Sequence, residues 1–461
     1  MTKRAAVAAA ATIAAVAVAP AVADAHGLVG RQDLPIAAWQ VVWAAAIVLA
    51  ASFWALGALW REARLQEPRE KPMFRIPCAV DVVLGAIGVA WFAIVVYAGL
   101  AGSDLGTANL APTAIYVVFW VGVPVASVLF GDVFRAVNPW RSVALAARAI
   151  APSGRWRTRA YPDWLGRWPA VVGLVCFAWL ELAYADKTNP HTLAILALAY
   201  AAIQLAGMAL FGIDAWSERA DAFGVYFNMF SRLAALVRRD GVVQRRPVLS
   251  GAPGWPLVAG STTFLAVTIG TTTFDGLSVG PLWASLRPDL LDLFGGGTAG
   301  GELASTVGLL ACIGLVAGFY RLGVLGMQTV GRGHEARELA GRFTHSLIPI
   351  GFAYLLAHYF SLLIYQGQAM AYLISDPLGN GSDLFGTAGN AISYPIQGAI
   401  PYVQVGALIC GHVAGLVLAH DRALTIYKDA REAARSQYWM LVVMVGFTSL
   451  GLWLLFGIGK R

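Results

Sequence analysis

Apolar segments of about 20 residues recur along almost the whole chain, which has 461 residues. An α-helix of roughly that length crosses the hydrocarbon core of a bilayer, which is about 30 Å thick. The sequence therefore predicts an all-α integral membrane protein, a bundle of about ten transmembrane helices that follows an N-terminal signal peptide. We place the spans near residues 36–59, 79–100, 113–131, 168–185, 191–213, 256–274, 303–323, 345–366, 398–420 and 438–458.

Composition supports the membrane class. Hydrophobic residues make up 58% of the chain and charged residues 13%, whereas a soluble globular protein carries about a quarter charged residues. The four cysteines lie in or beside apolar segments without paired spacing, so neither a disulfide framework nor a CxxC metal site is indicated. The net charge of +7 comes from arginines in short blocks between apolar spans, so a nucleic-acid partner is not expected.

Loop charges predict the orientation of the spans. Arginine-rich loops alternate with loops that are acidic or nearly uncharged, and cytoplasmic loops carry the excess of Lys and Arg. The arginine-rich loops contain the segments Arg61–Arg75, Arg135–Arg167, Arg219–Arg246, Arg332–Arg342 and Arg422–Arg435. We therefore expect a protein of the plasma membrane whose mature N-terminus is extracytoplasmic.

The N-terminus has the pattern of a secretory signal peptide, covering residues 1–25. A positive segment from Met1 to Arg4 is followed by a short apolar stretch and by a small-residue cleavage site that ends at Ala25. Residues 26–461 then form a single polytopic membrane domain. Cleavage would leave His26 as the first residue, and its amino and imidazole nitrogens could bind copper together with another imidazole. A histidine that follows the cleavage site by coincidence fits the sequence equally well.

Several ionisable side chains lie inside predicted spans, where a central Asp, Lys or Arg costs roughly 2.5–3.5 kcal/mol. They are Glu181, His345, His358, His412 and His420. Four histidines on two helices are compatible with a diheme protein. Their spacing argues against it, because residues 13 apart differ by about 220° around a helix and residues eight apart lie only about 12 Å apart.

A metal site is the alternative that we derive from these residues. In this hypothesis His26, His358 and His412 bind a divalent or copper ion, and Asp275 or Glu181 orients water or acts as a base. Such an ion lowers the pKa of bound water enough for attack on an ester at neutral pH. The simpler interpretation of each histidine is a hydrogen bond to a neighbouring helix, and Asp275 could equally cap a helix end.

Four segments resemble a bacterial and archaeal membrane family whose members are commonly named fenitrothion hydrolase. They are His26–Pro35 (HGLVGRQDLP), Phe130–Trp140 (FGDVFRAVNPW), Thr273–Gly276 (TFDG) and Ala419–Leu424 (AHDRAL). The resemblance extends from His26 to the last span. It implies hydrolysis of a phosphorus–oxygen ester in a lipophilic organophosphate, by this chain alone or together with a second subunit.

Three functions remain open at this point. The first is a membrane hydrolase, or the membrane subunit of one, that acts on a lipophilic ester with the help of a metal. The second is a transport or handling protein for copper or zinc, with intramembrane histidines as relay points and His345 and His420 near the cytoplasmic exit. The third is an assembly subunit without chemistry of its own. No Walker loop, GxSxG elbow or HExxH helix occurs in the sequence.

Overall fold

The computed structural model describes residues 38–151, 158–330, 334–427 and 429–456, and this part of the chain is mostly helical. The predicted signal peptide and His26 lie outside the described residues. The helices of the first half are α1 (Ala38–Leu59), α2 (Cys78–Ala101), α3 (Leu110–Phe130), α4 (Val133–Val137), α5 (Pro139–Ile150), α6 (Trp168–Leu182), α7 (Pro190–Phe211), α8 (Ile213–Arg219) and α9 (Ala222–Ser231). Those of the second half are α10 (Ser261–Ser278), α11 (Pro281–Leu293), α12 (Gly297–Gln328), α13 (Ala336–Phe343), α14 (Ile348–Tyr365), α15 (Met370–Ser375), α16 (Ile400–Ile426), α17 (Ala430–Ser436) and α18 (Tyr438–Phe456).

A helix lies at each of the ten predicted spans. Within the described residues, seven helical segments are long and apolar enough to cross a membrane, and α6 and α18 are shorter apolar helices. The remaining predicted span corresponds to α10, which carries six threonines and one aspartate and is buried along most of its length. Because α10 faces protein on nearly every side, it needs less apolar surface than a helix that faces lipid.

Contacts at one end of the bundle join the arginine-rich segments to one another. Arg135 forms an ion pair of 2.9 Å with Asp214, and Arg422 donates to the carbonyl of Pro253 over 3.1 Å. Segments that the charge pattern places on the same side of the membrane therefore meet. We call this end of the bundle the arginine-rich end.

The opposite end joins the arginine-poor loops. Ser103 donates its backbone N–H to the carbonyl of Leu378 over 2.7 Å. The N–H of Ala185 donates to Glu302 over 3.1 Å, and the Tyr116 hydroxyl donates to the carbonyl of Lys187 over 2.8 Å. The two sets of contacts are consistent with loops that alternate between two faces.

A small sheet at the arginine-rich end is absent from the sequence prediction. Strands β1 (Lys71–Arg75), β2 (Leu236–Arg239) and β3 (Val242–Arg245) form an antiparallel sheet in the order β1–β3–β2. Strand β1 is exposed along its length, so it has no alternation of apolar and polar residues that would mark it in the sequence. The sheet ties the loop after α1 to the loop before α10.

Helix α9 enters the bundle, although the mixture of aromatic residues and arginine around it is typical of a helix at the membrane interface. Tyr226 stacks on Trp120 of α3 with ring centroids 4.7 Å apart and an interplanar angle of 11°. Asp221 precedes the helix and accepts hydrogen bonds from the Trp140 indole and the Tyr200 hydroxyl, both at 2.7 Å. The sequence does not indicate this position, because these contacts join residues that are distant in sequence.

The close approach of α2 to α4 gives a first testable prediction. A Cβ atom added at Gly88 would overlap the backbone carbonyl of Val137, and backbone atoms cannot move aside cheaply. We expect Gly88→Ala to lower the free energy of unfolding by about 3 kcal/mol or more, at the upper end of typical overpacking costs. Thermal unfolding in detergent would measure this. Gly314→Ala in α12 is the control, because a Cβ added there would lie in open space. An equal loss of stability in both variants would contradict the close packing of α2 against α4.

Candidate functional site

Four polar side chains meet inside the bundle, and we call them the buried polar cluster: Glu181 of α6, Asp275 of α10, and His358 and Tyr359 of α14. All four are nearly or fully buried, with exposed fractions between 1% and 8%. The closest pair is His358 Nε2 and Asp275 Oδ2, which lie 2.9 Å apart. An imidazole and a carboxylate at that distance form an ion pair whenever the imidazole carries its second proton.

Tyr359 connects the two acidic residues. Its hydroxyl donates to Glu181 Oε1 over 3.4 Å, and it lies near enough to Asp275 for the two groups to interact electrostatically. The cluster therefore forms a chain of polar groups in the order Glu181, Tyr359, Asp275, His358. Each member can give or accept a proton, since carboxyl, phenol and imidazole groups all exist in two protonation states.

Local sequence explains why Asp275 reaches across to another helix. The threonines that precede it on α10 satisfy their own hydroxyls within the helix, because Thr271 donates to the Val267 carbonyl and Thr273 donates to the Ile269 carbonyl, both over 2.8 Å. A carboxylate can only accept hydrogen bonds, so it has no such partner in the preceding turn. It contacts the imidazole of His358 on the facing helix instead.

Aromatic rings surround the cluster. Trp120 packs between Tyr226 and Phe177, with ring centroids 4.7 and 4.8 Å away. The Tyr359 ring lies edge-on to the His358 ring at 4.8 Å. These rings exclude water, and a low local dielectric strengthens every charge interaction within the cluster.

The cluster lies closer to the arginine-poor end of the bundle than to the arginine-rich end. Asp275 and Glu181 come 14 and 13 residues after the first residues of α10 and α6, a rise of about 20 Å at 1.5 Å per residue. Both helices start at the arginine-rich end, where the Arg167 guanidinium donates to the Ser261 hydroxyl over 2.6 Å. Glu181 lies one residue before the end of α6.

His412 has different neighbours from the cluster. Its Nδ1 atom donates to the Leu408 carbonyl over 2.8 Å, and its ring lies 5.9 Å from the ring of Tyr354. The structure thus brings Asp275, Glu181 and His358 together and places His412 against other partners, while His26 lies outside the described residues. Among the described side chains, no group of three or more His, Cys, Asp or Glu residues is arranged to hold a metal ion.

His420 and Asp421 have a structural role in the fold. Asp421 accepts hydrogen bonds from the backbone N–H groups of Arg64 and Leu65 and from the side chains of Trp60 and Gln66, at 2.6 to 3.3 Å. His420 Nε2 donates to the Trp60 carbonyl over 2.9 Å. The pair therefore fixes α16 to the segment that follows α1.

Two other acidic residues, Asp376 and Asp383, organise the loop between α15 and α16. Asp376 accepts from the backbone of Asn380 and Gly381, and from the Ser382 hydroxyl. Asp383 accepts from the Ser375 hydroxyl, and this hydrogen bond holds the pKa of its carboxyl below the usual value. These contacts order the loop between α15 and α16.

Tyr359 is the member of the cluster that sequence reasoning missed. Tyrosine is common in membrane helices, so its presence carries little information. Its position directly after His358 is the one signal that would have drawn attention to it.

Comparison of the chain with protein-family models, with curated proteins and with solved structures finds no match.

Proposed function

We propose that this chain is a multi-pass membrane transport protein in which the buried polar cluster passes protons across part of the membrane. The observation that carries the proposal is the contact of 2.9 Å between His358 and Asp275, continued through Tyr359 to Glu181. Ionisable residues within membrane helices are rare and commonly mark proton or ion routes.

Energetic cost supports a functional role for the cluster. A central acidic residue costs roughly 2.5–3.5 kcal/mol on insertion scales, and this chain carries two in contact with one tyrosine. A neutral Asn or Gln would hold the helices together at a lower cost. Two acids and a histidine placed next to one another can pass protons from group to group, which neutral side chains cannot do.

Polar groups continue from the cluster toward both ends of the bundle. On the arginine-poor side, the Tyr116 hydroxyl lies against the Lys187 carbonyl at a distance of 2.8 Å. Toward the other end, threonine hydroxyls line α10, and Thr262 and Thr344 share a hydrogen bond of 2.7 Å. Hydroxyl oxygens can relay protons when a water molecule enters between them.

The proposal also covers how the chain is arranged across the membrane. We propose ten crossings, with the arginine-rich end in the cytoplasm of a plasma-membrane protein and the N-terminus outside after cleavage of the signal peptide. The alternation of contacts between the two ends supports this count. Copper or zinc is the first cargo to test, because histidines lie at several depths of the predicted spans.

Hydrolysis is the second candidate function. General-base centres place a carboxylate beside an imidazole, and Asp275 and His358 lie 2.9 Å apart. The family resemblance adds the substrate class, a lipophilic phosphorus ester, attacked by water with or without a metal. In this alternative His358 acts as the base, and water must reach the ring.

Parallel measurements on one preparation can distinguish the candidate functions. Purified protein in sealed vesicles would be given a proton gradient, and a trapped pH dye, copper and zinc uptake, and hydrolysis of a lipophilic phosphotriester would be measured in parallel. The transport proposal predicts proton flux above that of empty vesicles. Ester turnover without proton or metal flux would replace it with the hydrolase, and absence of all three activities in folded protein would leave the assembly-subunit alternative.

Removal of the Tyr359 hydroxyl tests the link between the two acids. We expect Tyr359→Phe to slow proton flux by about tenfold or more, because a positioned proton-transfer group contributes typically 10²–10⁴-fold, and water can replace part of it. Thermal stability should fall by only about 1 kcal/mol, the usual net value of a hydrogen bond. Tyr354→Phe is the matched control, since that hydroxyl donates to the Phe447 carbonyl. Equal flux in both variants would exclude Tyr359 from the route.

A further inference from the structure

A small cavity lies beside His412, between helices α12, α14, α16 and α18. Its volume is about 40 Å³, and its lining includes Tyr320, Ser346, His412, Met440, Met444 and Phe447. It shares no residue with the buried polar cluster. Organic ligands occupy pockets of about 300–1,000 Å³, so this cavity has room for an ion or a few water molecules only.

The hydrogen bond of His412 determines which ring nitrogen is free to bind a ligand. A backbone carbonyl only accepts hydrogen bonds, so the bond of 2.8 Å between Nδ1 and the Leu408 carbonyl places the proton on Nδ1. In the neutral ring, Nε2 then carries a lone pair. The side chain is fully buried, and Nε2 has no hydrogen-bond partner among the described residues. Histidines that bind metals are commonly oriented in this way, by a hydrogen bond from the ring nitrogen that does not touch the metal.

Two methionines line the cavity together with His412. Met440 and Met444 lie four residues apart on α18, so they occupy the same face of that helix. Both are buried, with exposed fractions of 4% and 6%. Thioether sulfur is a soft ligand that selects Cu(I) over hard divalent ions.

We propose that His412 Nε2, Met440 Sδ and Met444 Sδ form a binding site for a soft monovalent cation, Cu(I), for which Ag(I) is the stable probe. All three ligands are neutral, and the cavity lining contains no carboxylate. The cost of burying an ion in a low dielectric rises with the square of its charge, so a monovalent ion is favoured over Zn²⁺ or Cu²⁺. The site stands independently of the proposed proton route.

Binding of Cu(I) to the purified protein tests the site. The His26→Ala background removes a second chelating position, and Cu(I) is titrated anaerobically against a chromophoric Cu(I) chelator. We expect one bound Cu(I) per chain, with nitrogen and sulfur scatterers in X-ray absorption. Met440→Leu/Met444→Leu should weaken binding by at least about 100-fold, because loss of even an outer-shell partner costs 10–100-fold. His412→Gln should weaken it similarly.

The control is a double variant at buried methionines elsewhere, Met208→Leu/Met327→Leu. Leucine nearly preserves the volume of methionine, so both double variants should keep their thermal midpoints. Equal Cu(I) affinity in the two double variants would overturn the proposal, as would failure of the folded wild-type protein to bind Cu(I) or Ag(I), which would leave water as the occupant. Neither result depends on whether the vesicles show proton flux.

Discussion

Asp275→Asn is expected to reduce proton flux into vesicles by about 100-fold or more, which is the low end of the 10²–10⁴-fold that positioned proton-transfer groups contribute. The amide has nearly the same shape as the carboxyl group and can still hydrogen-bond to His358, but it cannot take up and release a proton. His358→Gln should have a comparable effect for the same reason. Both variants should remain folded, so flux and thermal midpoint are measured on the same preparations.

Exposed residues of the same types supply the controls. Asp289 is exposed on α11, and His191 is exposed in the first turn of α7 at the arginine-poor end. Asp289→Asn and His191→Gln should leave the flux unchanged. If Asp275→Asn carries protons as fast as the wild type, the buried polar cluster is a structural feature and the transport proposal fails.

Asp421→Ala is expected to produce the largest loss of stability. Its carboxylate accepts from two backbone N–H groups and from the side chains of Trp60 and Gln66. Alanine leaves these donors without their acceptor in a buried position, at about 1–3 kcal/mol for each donor that water cannot reach. Removal of one partner from a buried charged contact lowers the free energy of unfolding by roughly 3–5 kcal/mol. This is a large share of a total stability of about 5–15 kcal/mol.

The measurement is the thermal midpoint in detergent, together with the fraction of protein that elutes as a single species. Asp421→Asn should be intermediate, since one acceptor oxygen remains while the amide nitrogen meets other donors. Asp104→Ala in an exposed loop position should change little. A loss of 1 kcal/mol lowers the thermal midpoint of a domain of 150–250 residues by about 2–4 °C. A midpoint for Asp421→Ala within about 2 °C of the wild type would therefore contradict the role assigned to this carboxylate.

Helix positions could be predicted from sequence because hydropathy is a local property. Each of the ten predicted segments coincides with a helix, and α7 begins and ends within two residues of its prediction. Loop charge also marks correctly which segments share an end of the bundle. The three-stranded sheet and the entry of α9 into the bundle escaped prediction, because both depend on contacts between distant residues.

The candidate site was predictable in part for the same reason. Asp275, Glu181 and His358 stand out as ionisable groups in apolar surroundings, so each could be named from the sequence. Their contacts could not, since Tyr359 and Glu181 are 178 positions apart. His412 was also named, but its neighbours Met440 and Met444 were overlooked because methionine in an apolar helix is indistinguishable from an ordinary core residue.

Infrared difference spectroscopy of the carboxyl groups tests the central claim most directly. The protein in lipid would be exposed to a jump in external pH, and the bands of protonated carboxyl groups recorded for the wild type, Asp275→Asn and Glu181→Gln. The account predicts bands that change with the pH jump and disappear one at a time in the two variants. Proton flux in vesicles with no carboxyl band assigned to either residue would contradict it.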